Sequence, residues 1–248
     1  MTDTLWRGEV PVSARHDDPY FSLDDGLAET RAVYLDGCGL PERYRAGFVL
    51  AELGTGACLT LAAALHAWRR SGVAGPLRYQ GFEAAPLPAA AIARALSPFP
   101  DIAAEATDIV AAWDAALAEA NEAMHLGMPG LEAVIFLGDA RRTVPLWQGC
   151  ADAWFLDGFA PSRNPDLWEA ALLAAVADRT APGGRLATYT AAGHVRRALK
   201  MAGLQVERVP GWGRKRHMTR AAKVPGDGLP RGAETTVPDA PPPESPQG

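Results

Sequence analysis

The sequence predicts an α/β fold, a mainly parallel sheet with helices on both faces. Three observations predict it. Short apolar runs without polar alternation recur along the chain, as strands covered on both sides require, and Ala- or Leu-rich stretches of helical length lie between them. Several runs end on an acid or a glycine turn, AELGTG and FLDGFAP among them, where an open α/β sheet opens its ligand crevice. No repeat of 20 to 50 residues and no composition break divides the 248 residues, so they read as one large domain with a tail.

Taken in order, residues 1–46 predict an N-terminal β appendage, with alternating pieces at Gly8 to Val12 and Thr30 to Leu35 around the turn-rich HDDPYFSLDDG. Phe48 to Leu53 is a compact apolar strand, Gly54 and Gly56 make a turn, and Leu59 to Trp68 is a helix. Leu77 to Glu83 repeats the strand, and Pro86 to Leu96 its helix, with prolines tolerated at the start. Residues 98–128 are Ala-rich with few β-branched side chains and predict a helical insertion capping one edge. Further strands are expected at Ala133 to Leu137, Ala153 to Asp157, Gly184 to Thr190 and Leu204 to Val209, with helices at Asp166 to Thr180 and Gly193 to Ala202. His217 to Val224 adds a last strand after the GWGRKR turn, closing a core domain of residues 47–224. Residues 225–248, dense in Pro and Gly and nearly free of large apolar groups, predict a disordered tail.

With 48% hydrophobic and 21% charged residues the chain is globular, and no apolar run reaches the roughly 18 residues that span a bilayer. The charged N-terminus has no secretory core, and Cys38, Cys58 and Cys150 have no metal-ligand spacing, so a reducing cytoplasm, no membrane and no metal are expected. The net charge of −5 is unevenly spread: Pro98 to Leu126 holds six acids and no Lys or Arg, while Arg185 to Lys223 holds ten Lys/Arg against Glu207 alone. Anion-binding potential is therefore local.

The chemistry gathers at strand ends. In AELGTGACL, Glu52 ends a strand and Gly54 and Gly56 let backbone approach a ligand, or simply close the turn. A dinucleotide fingerprint would need glycine where Leu59 stands, which disfavours a pyrophosphate cofactor and nicotinamide chemistry. Glu83 ends the next strand, where a carboxylate accepts from paired ribose hydroxyls or is merely an exposed acid. Asp139 either accepts from an adenine amine or caps the following helix. Asp157 closes the run DAWFLDGFAPSRNPDLW, as a crevice acid or a turn residue. One nucleoside cofactor lying across the crevice explains all four acids together, and S-adenosylmethionine, with a cationic amino-acid end and no phosphate, suits them.

These segments, with Phe82-Glu83, Leu137-Gly138-Asp139 and the ending GGRLATYTAAGHVRRALKMAGLQVERVPGWGRKRHM, resemble the tRNA 5-methylaminomethyl-2-thiouridine methyltransferase family, the methyltransferase domain of MnmC and its single-domain relatives. The resemblance runs from HDDPYFSLDDG to the end of the basic segment. It implies a Rossmann-like S-adenosylmethionine-dependent methyltransferase fold with a seven-stranded sheet. The implied reaction is methyl transfer to the aminomethyl nitrogen of 5-aminomethyl-(2-thio)uridine at the tRNA wobble position. By motif, Glu52, Gly54 and Gly56 correspond to the methionine-side pocket, Glu83 to the ribose contact, Asp139 to the adenine contact, and Asp157 to the acid beside both cofactor and methyl acceptor. The family's third glycine is replaced by Cys58, whose side chain either crowds the loop or turns into the core. Larger members carry a flavin-dependent domain; none is expected in this chain, which should methylate an amine delivered by other enzymes.

An alkylammonium must lose a proton before its nitrogen attacks, and a carboxylate within reach orients the amine or takes that proton. Asp157 suits the role. For the tRNA anticodon arm, Arg196, Arg197 and Lys200 offer a phosphate-binding helix face or an ordinary solvated one, while Arg214, Lys215 and Arg216 follow a turn whose Trp212 stacks on a base or anchors the core. Phe159 and Arg163 lie close enough in sequence to Asp157 to meet the target nucleotide. The competing readings are a small-amine alkyltransferase, transferring methyl or aminopropyl groups to polyamines from the same pocket, and a non-catalytic RNA-binding module.

Overall fold

The computed structural model describes residues 4–226. The expected tail lies almost wholly outside the described residues. Three short strands, β1 (Thr4–Arg7), β2 (Val10–Ser13) and β3 (Asp18–Pro19), form an antiparallel sheet of their own. The remaining strands are β4 (Val49–Leu53), β5 (Leu77–Glu83), β6 (Ala123–Met128), β7 (Leu131–Leu137), β8 (Ala151–Leu156), β9 (Thr180–Thr188), β10 (Gln205–Pro210) and β11 (His217–Ala222). They make one sheet in the order β10-β11-β9-β8-β4-β5-β7-β6, in which β9, β8, β4, β5 and β7 run parallel and β11 and β6 oppose their neighbours.

The helices are α1 (Gly26–Thr30), continuing through a π turn (Arg31–Leu35) into α2 (Asp36–Cys38), then α3 (Leu59–Ser71), α4 (Ala89–Leu96), α5 (Ala103–Glu119), α6 (Ala140–Leu146), α7 (Ala170–Asp178) and α8 (Gly193–Met201). The two faces of β4 show why both layers are needed. Leu50 joins a core with α1 to α5, built on Leu61, Trp68, Ile92 and Trp113, whereas Ala51 and Leu53 join a second core with α6 to α8, built on Val144, Leu173, Val176 and Leu199. Apolar side chains on both faces explain the unalternating strand sequence.

Three expectations are corrected and one helix is added. The sheet has eight strands, because β6 occupies the end of the expected helical insertion. Met124 and Leu126 are buried while His125 and Gly127 are exposed, and Gly130 at φ +80° closes a hairpin with β7, a short strand signal masked by the Ala-rich α5 before it. Thr30 to Leu35 is helical: the Asp25 side chain accepts from Ala28 N at 2.9 Å and starts a helix that runs through the apparent alternation. Asp166 to Thr180 divides into a 3-10 turn (Pro165–Trp168) and α7, with Thr180 already in β9. Helix α6 was hidden by Pro145 inside its seven residues.

The chain builds outward from β4 to β5 and β7, then returns to β8 on the other side of β4. The topological switch therefore lies between β4 and β8, where the carboxyl ends of adjacent parallel strands diverge into a crevice.

Candidate active site

Strand register brings the sequence-distant turns together. Leu53 pairs with both Leu156 and Phe82, so the next residues, Gly54, Asp157 and Glu83, stand side by side at the carboxyl edge. Backbone bonds fix them: Asp157 N donates to Leu53 O at 3.1 Å and Gly54 N to Phe82 O at 2.9 Å. Gly54 has φ +80°, and a Cβ there would lie 2.3 Å from the Asp157 carbonyl oxygen, so conformation and space both demand glycine. Glu83 then ties the loops, accepting from Gly56 N on Oε2 at 2.9 Å and from Ala85 N on Oε1 at 2.8 Å. Each carboxylate oxygen keeps acceptor capacity toward the crevice.

Above these strand ends lies a cavity of about 910 Å³, walled by the two glycines, Glu83, Asp157 and Phe159, and by segments of the N-terminal region and the β10–β11 turn. The Tyr34 hydroxyl, carried by the π turn, donates to Asp157 Oδ1 at 2.5 Å. Burial pushes Asp157 up to about 7; the Tyr34 hydrogen bond opposes the rise, Glu29 adds to it and Lys215 offsets it. Burial first, and Asp157 second, hold the Tyr34 phenol well above its ordinary range. Lys215 Nζ reaches Glu29 Oε1 at 2.7 Å and sits 4.0 Å from the Tyr189 ring centroid, and the Tyr189 hydroxyl donates to Gly158 O at 2.8 Å.

The residues between β2 and α1 strap the loop after Asp157. Ala160 N donates to Asp18 Oδ2 at 2.8 Å, His16 stacks on Phe159 with centroids 4.8 Å apart, and Tyr20 meets the same ring edge-on at 5.0 Å. Burial, then the charge of Glu83, raises Tyr20 to about 12, so it stands as a neutral wall. Arg163 pairs with Asp17 at 3.1 Å on the outer side of this strap.

Of the residues singled out in the sequence, Gly54, Gly56, Glu83, Asp157, Phe159, Arg214 and Lys215 line the cavity. Glu52 does not: it points into the core beneath the turn, bonded to the Tyr79 hydroxyl, and burial raises its acid well above the usual range. Asp139 also lies outside the wall. It caps α6, accepting from Arg141 N at 2.9 Å, and its hydrogen bonds with the Arg141 guanidinium hold it below the ordinary carboxylate range. Arg196, Arg197 and Lys200 ride on α8 away from the cavity, and Arg216 is exposed beside it. Trp212 packs against the core around α1 to α5, in its anchoring role. Cys58 has φ +60° and is fully buried in that core, so it neither crowds the cavity nor escapes the left-handed conformation that favours glycine there.

Sequence reasoning missed Glu29, Tyr34 and Tyr189, and gave His16, Asp18 and Tyr20 no role. The acidic and aromatic density of HDDPYFSLDDG was a usable signal for the last three. Nothing local marked the others, which depend on how the α1–α2 segment crosses β8 and β9.

The crevice tests well against an S-adenosylmethionine-sized ligand. The glycine turn offers backbone where any side chain would fill the space, Glu83 supplies paired acceptors, and the Glu29, Glu83 and Asp157 carboxylates in the wall suit a sulfonium or ammonium group. Fold and site together define an α/β protein with an open crevice at its switch point, of a size and lining that suit a nucleoside-like ligand. A model of S-adenosyl-L-methionine-dependent methyltransferases matches residues 100–224, half of the chain, and the chain belongs to that family. It is 45% identical over 223 residues to the tRNA 5-methylaminomethyl-2-thiouridine biosynthesis bifunctional protein MnmC of Caulobacter vibrioides, covering 88% of this chain and 37% of that one. It is 44% identical to the protein of the same name from Caulobacter sp. strain K31, covering 90% and 38%. The chain thus spans little more than a third of these curated relatives. The crystal structure of MNMC2 from Aquifex aeolicus superposes with a TM-score of 0.66 at 24% identity, covering 87% of this chain and 68% of that one, a likeness of fold.

Proposed function

We propose that this chain transfers a methyl group from S-adenosylmethionine to the aminomethyl nitrogen of 5-aminomethyl-(2-thio)uridine at the tRNA wobble position, giving 5-methylaminomethyl-(2-thio)uridine, in the cytoplasm. Residues 47–224 form the catalytic domain and residues 1–46 the appendage that straps its site. The observation that carries the reading is Asp157, held by Tyr34 at the switch point beside the glycine turn and Glu83. The names of the bifunctional relatives, which print tRNA 5-methylaminomethyl-2-thiouridine biosynthesis, support tRNA as the substrate.

When bound, S-adenosylmethionine supplies a methyl group already activated on sulfur. The protein contributes position and proton handling. Gly54 and Gly56 would let the cofactor approach the backbone, and Glu83 would accept from its sugar hydroxyls. Asp157 accepts a hydrogen bond, then the proton, from the acceptor amine, freeing the nitrogen lone pair; burial places its acid near the pH at which proton exchange is efficient. Phe159, braced by His16 and Tyr20, offers a ring face for the unstacked base. The strap excludes water and aligns the nucleophile.

The test is incubation with methyl-labelled S-adenosylmethionine and tRNA from cells unable to make the modification, followed by nucleoside mass spectrometry. Conversion of the aminomethyl to the methylaminomethyl nucleoside is expected. Label passing efficiently to spermidine and not to tRNA would replace this reading by the small-amine alkyltransferase.

A further inference from the structure

The wall beyond Asp157 contains a second buried carboxylate. Glu29, on α1, faces the cavity with a side chain only 11% exposed, and its partner is the ammonium of Lys215, delivered by the β10–β11 turn. That ammonium also lies over the Tyr189 ring, 4.0 Å from its centroid. A carboxylate at one side and an aromatic face at the other form a receptor for an alkylammonium head, since both stabilise a compact cation and neither needs a particular substituent on it. Tyr189 is itself fixed through Gly158, the residue after Asp157, so the receptor and the candidate proton acceptor share one loop.

We propose that Glu29 and the Tyr189 ring form the docking site for the protonated acceptor amine, and that Lys215 occupies this site in the free protein as an internal stand-in which the substrate displaces. Electrostatics favours an occupied site: Glu29 and Asp157 face one cavity, and an ammonium beside Glu29 offsets the charge that each carboxylate imposes on the other. Lys215 supplies the cation from an exposed turn, its side chain 43% exposed, so moving it into solvent costs little packing. An arriving ammonium takes its place beside Glu29 and passes its proton to Asp157. Arg214, at the cavity wall, is 92% exposed and pairs with Asp24 at 3.6 Å, an ion pair that it can exchange for a phosphate.

This inference rests on an amine acceptor, as proposed above, but it is tested without RNA. Methylammonium chloride is titrated into the wild-type chain, Lys215→Ala and Lys215→Ala/Glu29→Gln at constant ionic strength, following tyrosine ring resonances by NMR. Saturable binding in Lys215→Ala at least tenfold tighter than in wild type, lost in the double variant, is expected. Equal affinity in wild type and Lys215→Ala, or binding that survives Glu29→Gln, overturns the proposal. Should Lys215→Ala fail to fold, Lys215→Met keeps the stem and carries the same comparison. On modified-nucleoside precursor tRNA, Glu29→Gln raises KM for RNA tenfold or more with S-adenosylhomocysteine affinity unchanged. An equal loss of both affinities would mark Glu29 as merely structural. Capture of methylammonium with no methylation of tRNA would sink the tRNA reading and leave the ammonium site standing.

Discussion

In the proposed reaction Asp157 meets two opposing demands: burial favours its neutral form, and accepting a proton would require the carboxylate. Its acid stands at about 7, against roughly 3.9 for an unperturbed aspartate. Between those values the folded chain takes up a proton that the unfolded chain releases, so the stabilisation from protonation is complete below about pH 4 and is lost as pH rises to about 7. Activity runs the other way. We expect kcat/KM for methyl transfer to climb as pH rises through about 7, and Asp157→Asn to remove that limb while lowering turnover at pH 8 by roughly 100-fold or more. The same variant, no longer burying a charge, should melt about 3 °C higher at pH 8. A pH–rate series beside thermal melts checks both, and an unchanged limb in Asp157→Asn would assign the proton to another group. Cys58 shows a different residue-scale compromise, a left-handed backbone accepted in exchange for a buried thiol.

At the scale of elements, the site is made by segments that do not look catalytic. The stretch from His16 to Tyr20 sits beyond a two-strand turn and reads as loop, yet its Asp18 carboxylate satisfies the amide of Ala160 and its rings brace Phe159. The π turn of Arg31–Leu35 sets Tyr34 onto Asp157; such turns recur at functional sites because the extra residue re-aims a helix face. Helix α6 illustrates the opposite outcome, since the acid that opens it serves the helix. Asp139→Ala should cost about 1 kcal/mol through the lost cap, read from chemical denaturation, and leave S-adenosylhomocysteine affinity unchanged by calorimetry. A tenfold loss of that affinity would restore Asp139 to the cofactor site.

For the whole molecule, the acidic α5 side and the basic β10–β11 hairpin give the chain two electrostatic faces despite its net charge of −5. The basic turn opens on the cavity, so tRNA affinity should fall with added salt, and neutralising Arg214 and Arg216 together should flatten the log–log salt slope by about 1.5. An unchanged slope in filter-binding titrations would move the RNA interface elsewhere. Much of this architecture was legible in advance. Doubly covered strands carry unalternating apolar sequence, glycine marks positive φ, and a carboxylate after a strand marks a crevice; these local signals gave β4, β5, β8 and the residues Gly54, Glu83 and Asp157. Short or interrupted elements were not legible: β6 is diluted by small residues beside an Ala-rich helix, and α6 contains proline. The sequence by itself determined the α/β class, the glycine turn and the acids at the strand ends, because those depend on backbone conformation and on the period of the strands. Only the tertiary structure decided which acids face the cavity. Glu52 and Asp139 turn away, while Glu29, Tyr34, Tyr189 and Lys215 arrive from distant segments, because side-chain direction and long-range proximity follow from strand order and helix docking.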